Sequence, residues 1–128
     1  MPKSERLRKP AEFRRVYAEG KRFEGRFVTV FILPSETQSH RLGVTASKKI
    51  SNKAHDRNRA KRLLREGFRL SKLEIAEIET KYDWVLNARR SLLSVKLEKP
   101  LAEFRQIVAK VRKIESEKGE TNVESEER

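Results

Sequence analysis

Cysteine is absent from the chain, so disulfides and thiolate metal sites are excluded, and a reducing compartment fits. No apolar run approaches the length of a membrane span or a signal-peptide core, and the first dozen residues are charged throughout. The expectation is a cytoplasmic protein that does not engage a membrane. Histidine is scarce: His40 and His55 are placed in loops, with no carboxylate or nucleophile spaced to work with either. A general acid/base site needs titratable groups brought together, so no catalytic residue is expected on this chain. No spacing suggests a protein metal cage, and there is no internal repeat.

What the chain has is positive charge. Its 128 residues carry a formal net charge of +12 and a pI of about 10.3. At the size of one small domain this points to a polyanion partner, nucleic acid before an anionic membrane surface. The charge is unevenly placed. Residues 115–128, ESEKGETNVESEER, hold six glutamates against one lysine and one arginine, with one apolar residue. They are expected to form an acidic, disordered tail. Residues 1–114 are expected to form a single domain, with 29 basic against 13 acidic side chains; the family resemblance described below implies that this domain, 1–114, binds RNA.

Along the chain, PAEFRRVYAE (10–19) predicts a short amphipathic helix, with Pro10 at its first position, Gly20 as its stop, and Phe13, Val16 and Tyr17 on one face. RFVTVFIL (26–33) predicts a strand that is apolar on both faces. Val28, Val30 and Ile32 line one, while Phe27, Thr29 and Phe31 line the other. One face enters the core and the other needs a cover or a ligand; alternation alone does not say which. PSETQSH (34–40) predicts a turn, RLGVTASKK (41–49) a second strand, 71–81 a polar connection and YDWVLNA (82–88) a further strand. Pro100 opens a last helix with apolar Leu101, Phe104, Ile107, Val108, Val111 and Ile114 at helical spacing.

Between these lies SKKISNKAHDRNRAKRLLREGF (47–68), eight lysines and arginines in twenty-two residues. On a helical wheel Ala60, Leu63, Leu64, Gly67 and Phe68 form a packed face. Arg57, Lys61, Arg65 and Arg69 recur every fourth residue on the other side, with Asn58 and Arg62 beside them. Like charges at this spacing destabilise a helix by roughly 0.2 to 0.5 kcal/mol per pair. Only Glu66 lies nearby to relieve them. A merely solvated surface helix is the alternative, but on the helix arginines outnumber lysines, and guanidinium forks suit bidentate phosphate contacts better than solubility requires.

This stretch resembles the signature of the bacterial ribonuclease P protein subunit: a strand ending in S-K-K, a short loop, then R-N-R-x-K-R and an arginine-bearing helix. RLRKPAEFRRVYAEGKR is similar to that family's amino-terminal segment, RFVTVFIL and RLGVTASKK to its following strands, and DWVLNAR to the strand that ends in A-R. The resemblance runs from about residue 6 to 112. It implies an α+β fold: an α-β-β-β-α-β-α two-layer sandwich like a ribosomal-protein domain, with the basic helix in a left-handed β-α-β crossover, an uncommon hand.

The resemblance also implies a function. The chain would be the accessory subunit of an endoribonuclease that removes the 5′ leader of precursor transfer RNA, with catalysis on an RNA subunit. The protein itself would bind no cofactor, Mg2+ being expected for the holoenzyme. Its partners would be the catalytic RNA and precursor transfer RNA, with no obligate protein partner. Ser47, Lys48, Lys49, Arg57, Asn58, Arg59, Lys61, Arg62 and Arg65 match the family's positions that face the catalytic RNA. On the wheel Arg59 lies well around from the other cations. Phe13, Tyr17 and Phe31, with Arg14, match the cleft that holds single-stranded leader, and stacking there is worth roughly 1 to 3 kcal/mol per base. Core packing is the alternative for these aromatics. Trp84 is expected in the core or cleft wall.

Two departures from the pattern stand out. Tyr17 occupies a position where the family often has Phe, and Asn87 interrupts a strand usually apolar there, so Asn87 needs hydrogen-bond partners if buried. Other functions compatible with the composition are a ribosomal protein or RNA chaperone of the same fold, and a nuclease borne by the protein itself. A DNA-binding helix-turn-helix is disfavoured by the strands at 26–33 and 41–47.

Overall fold

The computed structural model describes residues 5–127, with side chains through Glu117. Helix α1 (Pro10–Glu19) leads into β1 (Lys21–Glu24), β2 (Val28–Pro34) and β3 (Arg41–Thr45). There follow the long basic helix α2 (Ala54–Leu70), the short α3 (Lys72–Ala76), β4 (Tyr82–Ala88), a 3-10 turn at Arg90–Ser94, and α4 (Glu98–Glu127). The four strands form one mixed sheet in the order β1-β2-β4-β3. β2 pairs antiparallel with β1 and β4, whereas β3 lies parallel to β4, so α2 and α3 form the crossover between two parallel neighbours. The expected α-β-β-β-α-β-α order is present, with α3 and the 3-10 turn added. Among the described residues, no helix is long and apolar enough to cross a membrane.

The pleat settles which face of β2 is the core. Val28, Val30 and Ile32 join Leu42, Trp84 and Leu86 beneath α2 and α4, which contribute Ala60, Leu64, Phe68, Phe104, Ile107, Val108 and Val111. Trp84 is fully buried at the centre, its ring 6.0 Å from that of Phe68 and 5.9 Å from that of Phe104. Phe27 breaks the expected alternation. It precedes β2, where the chain turns back on itself (Gly25 N–H to Val28 O, 2.9 Å), and its ring joins the main core instead of the opposite face. The connection at 71–81 is not simply polar: Ser71, Ile75 and Ile78 are buried, and Ser71 Oγ donates to Gly67 O at 2.8 Å, easing the chain from α2 into α3. β1, whose four residues offer only Phe23 to the core, is held by pairing with β2.

The other face carries a smaller apolar cluster, Leu7, Val16, Leu33 and Val85, on which α1 sits. α1 is tied down by charge as well. Arg41 makes a bidentate contact with Asp83 at 2.8 Å on both oxygens and reaches Glu12 on α1 at 2.6 Å. Asp83 is almost fully buried, with 3% of its side chain accessible, and removing one partner of such a pair costs about 3 to 5 kcal/mol. The Lys9 N–H, with the Arg8 N–H and the Arg41 guanidinium, holds the Glu12 carboxyl below the usual carboxylate range, against its partial burial. Glu12 thus closes the start of α1 and fixes it to the sheet in one side chain.

α4 carries into the acidic segment expected as a tail. Glu115 accepts the Glu79 N–H (2.9 Å) and the Tyr82 hydroxyl (3.2 Å), so the packed part of the chain extends at least to this residue. The side chains beyond Glu117, and Arg128 altogether, lie outside the described residues.

Candidate nucleic-acid interface

The aromatic positions of α1 and β2 meet on the smaller face. Tyr17 stands edge-on to Phe31, ring centroids 4.9 Å apart, and the Arg22 guanidinium lies 5.6 Å from the Phe31 centroid. Tyr17 remains 39% exposed, which leaves ring surface open to a partner. Its hydroxyl donates to Asn87 Oδ1 at 2.9 Å, and Thr45 Oγ1 donates to the same oxygen at 2.6 Å. This accounts for both departures noted in the sequence: Asn87 points away from the main core, and the phenolic oxygen anchors Tyr17 where a phenylalanine would be free to turn. Phe13 and Phe31 both pack against the small apolar cluster while staying half-buried. Phe13 also lies against Gly43, where a Cβ would come within 2.5 Å of its ring, so only glycine in β3 lets the ring sit this close. Arg14 is exposed beside Phe13 on α1.

Across the sheet, α2 turns its cations outward. Asn58, Arg62 and Arg65 are exposed, Lys61 is half-exposed, and Arg69 pairs with Glu66. Ser47, Lys48 and Lys49 are exposed in the loop before the helix, whose turn is closed by Ile50 N–H to Ser47 O at 3.2 Å. Arg57 donates to Ser51 O at 2.9 Å and so secures that loop. Arg59 is separated from the rest: its guanidinium donates to Val95 O at 3.0 Å and is half-buried against the segment after the 3-10 turn. His55 lies in the first turn of α2 rather than in a loop, exposed and 3.2 Å from Asp56.

Several residues join this surface that the sequence reading did not single out. Arg22 reaches the Phe31 ring only because β1 pairs with β2 in the register that puts it opposite Phe31. Arg90 donates to Lys49 O at 2.8 Å, which brings it beside the loop cations, whereas Arg89 donates to Gly25 O at 2.9 Å at the turn between β1 and β2. The A-R-R run itself was the available signal.

His40 is buried in part and structural. Its Nδ1 accepts both the Tyr82 N–H (3.1 Å) and the Trp84 indole N–H (3.0 Å), and burial, then nearby Lys81, pushes its pKa down. Among the described residues no group of three or more His, Asp or Glu could hold a metal ion.

Fold and surface together define a basic α+β domain with a cationic helix on one side of its sheet and a cluster of partly exposed aromatics on the other, the equipment of a polyanion-binding protein. The family model described as Ribonuclease P matches residues 1–112. The ribonuclease P protein component of Methylococcus capsulatus is 42% identical over 94 residues, 73% of this chain and 70% of that protein. That of Clostridium kluyveri is 41% identical over 86 residues, 67% of this chain and 75% of that protein. The Staphylococcus aureus RNase P protein structure superposes with a TM-score of 0.71 at 29% identity, covering 85% of this chain and 95% of that one. The Thermotoga maritima protein gives 0.70 at 28%, covering 81% and 94%. The chain belongs to the ribonuclease P protein family.

Proposed function

We propose that this chain is the protein subunit of a bacterial-type ribonuclease P, acting in the cytoplasm on two RNAs at once. α2 and its preceding loop bind the catalytic RNA, and the α1 cleft holds the single-stranded 5′ leader of precursor transfer RNA. The observation that carries this reading is that the cations of α2 and the half-exposed aromatics by α1 lie on opposite sides of one sheet. Phosphate contacts give affinity with little regard to sequence, whereas stacking holds unpaired bases. The division suits a folded RNA on one side and a flexible leader on the other. Leader cleavage itself belongs to the RNA subunit with Mg2+, and the protein strengthens substrate binding. No obligate protein partner is part of this reading.

Because the chain has no cysteine, single cysteines can be placed without background. An iron chelate tethered at Ala54→Cys, exposed at the start of α2, is expected to cleave the catalytic RNA. One at Ala18→Cys, exposed next to Tyr17, is expected to cleave the leader. Both probes cutting the same molecule in the ternary complex would refute the two-surface arrangement.

A further inference from the structure

β3 is an edge strand, and the edge is not left bare. The segment before α1 runs beside it, Arg6 bridging to Leu42 and the Leu7 N–H donating to Leu42 O at 3.0 Å. Between this segment, β3 and the outer side of α2 lies a groove of about 650 Å³. Its floor is apolar: Leu7, Phe13, Leu42, Val44 and Leu63. Its rim is cationic, with Arg6, Arg62, Arg65 and Lys72 all exposed and Arg69 bonded to the one carboxylate present, Glu66. An apolar floor under a rim of guanidinium groups matches an aromatic ring that carries phosphate. Duplex RNA presents phosphates but keeps its base faces stacked inside, so it would leave this floor uncovered.

We propose that the groove seats an unpaired nucleotide of the catalytic RNA, its base against Phe13, Val44 and Leu63 and its flanking phosphates on Arg62 and Arg65. The proposal rests on the assignment of α2 to that RNA and adds a base-binding site to it. The rim, made largely by α2, favours the catalytic RNA over the leader as the source. Phe13 then stands at the boundary between the two RNA surfaces, since its ring lines this groove and also packs beside Phe31 on the small cluster.

The test is a backbone-amide NMR titration of the full chain with adenosine 5′-monophosphate, ribose 5-phosphate and inorganic phosphate at matched ionic strength. The nucleotide is expected to shift Gly43, Val44 and Leu63 and to bind at least about fivefold tighter than ribose 5-phosphate, the low end of what a stacked base supplies. Leu63→Glu, which places a carboxylate on the floor, should abolish that preference; should the variant not fold, the wild-type titration decides alone. A bacterial catalytic RNA should displace the nucleotide, and a leader-length oligonucleotide should not. Equal affinity for all three small probes, shifts centred on Tyr17 and Phe31, or displacement by the leader alone would each overturn the proposal. Binding of the catalytic RNA, measured separately, tells failure of the groove from failure of the α2 assignment.

Discussion

Replacing Tyr17 separates what its ring does from what its hydroxyl does. The ring is 39% exposed and braced edge-on against Phe31, while the hydroxyl is bonded to Asn87, which Thr45 also holds. Tyr17→Phe removes one neutral hydrogen bond, a loss of about 0.5 to 1.5 kcal/mol of stability, and leaves the stacking surface in place. Tyr17→Ala removes the platform and, at about 1 to 3 kcal/mol per stacked base, should weaken leader binding by roughly 5- to 150-fold. The quantity to measure is the ratio of holoenzyme affinities for leader-bearing precursor and mature transfer RNA, for wild type and both variants. The ratio should collapse for Tyr17→Ala and change little for Tyr17→Phe. Equal weakening toward both RNAs would mean that the ring serves packing and not the leader.

On α2, Arg62→Ala and Arg65→Ala are each expected to reduce the salt dependence of catalytic-RNA binding by about one unit of slope, whereas Arg59→Ala, whose guanidinium is bonded to Val95 O, should lower the unfolding midpoint and leave the slope nearly unchanged. Identical slopes for all three would contradict that sorting. Glu103 accepts the N–H groups of Arg26, Phe27 and Val28, so Glu103→Ala should cost about 2 kcal/mol in urea unfolding and Glu103→Gln less. His40 is held neutral in the fold, its pKa lowered from 6.5, so its contribution to stability is complete above that value and drains away as pH falls below it through the depressed folded value. Urea midpoints between pH 7 and 5.5 should therefore fall with acidity, and more steeply than in His40→Asn, which keeps an acceptor for Trp84; parallel curves would refute the assignment.

Elements whose own residues carry the instruction were legible in the sequence. α1, with its leading proline and its face of Phe13, Val16 and Tyr17, and β4, with its aromatic and β-branched run, coincide with their expected bounds. β1 was not located, because KRFE has no alternation of its own and becomes a strand only against β2. α3 carries no helical pattern of its own, because the buried apolar positions of this stretch, Ile75 in the helix and Ile78 just after it, are two isolated residues among charges. Phe27 departs from the face that alternation predicts because period-two counting does not hold through the turn at Gly25 to Val28. In the candidate site, the wheel already set Arg59 apart, but it could not supply the carbonyl of Val95, which comes from a segment 36 residues away. The groove was invisible for the same reason: its floor and rim come from the segment before α1, from α1 itself, from β3, from α2 and from the start of α3, and no short window of sequence contains them all.

On the proposed function, this chain assists an RNA catalyst without being one. Leader cleavage of a precursor transfer RNA at low magnesium, with protein alone, a bacterial catalytic RNA alone and the two combined, tests it most directly. Cleavage that appears only in the mixture is the expected result. Cleavage by the protein alone would reveal a catalytic site on this chain, and tight RNA binding without stimulation would make it an RNA chaperone; either contradicts the account.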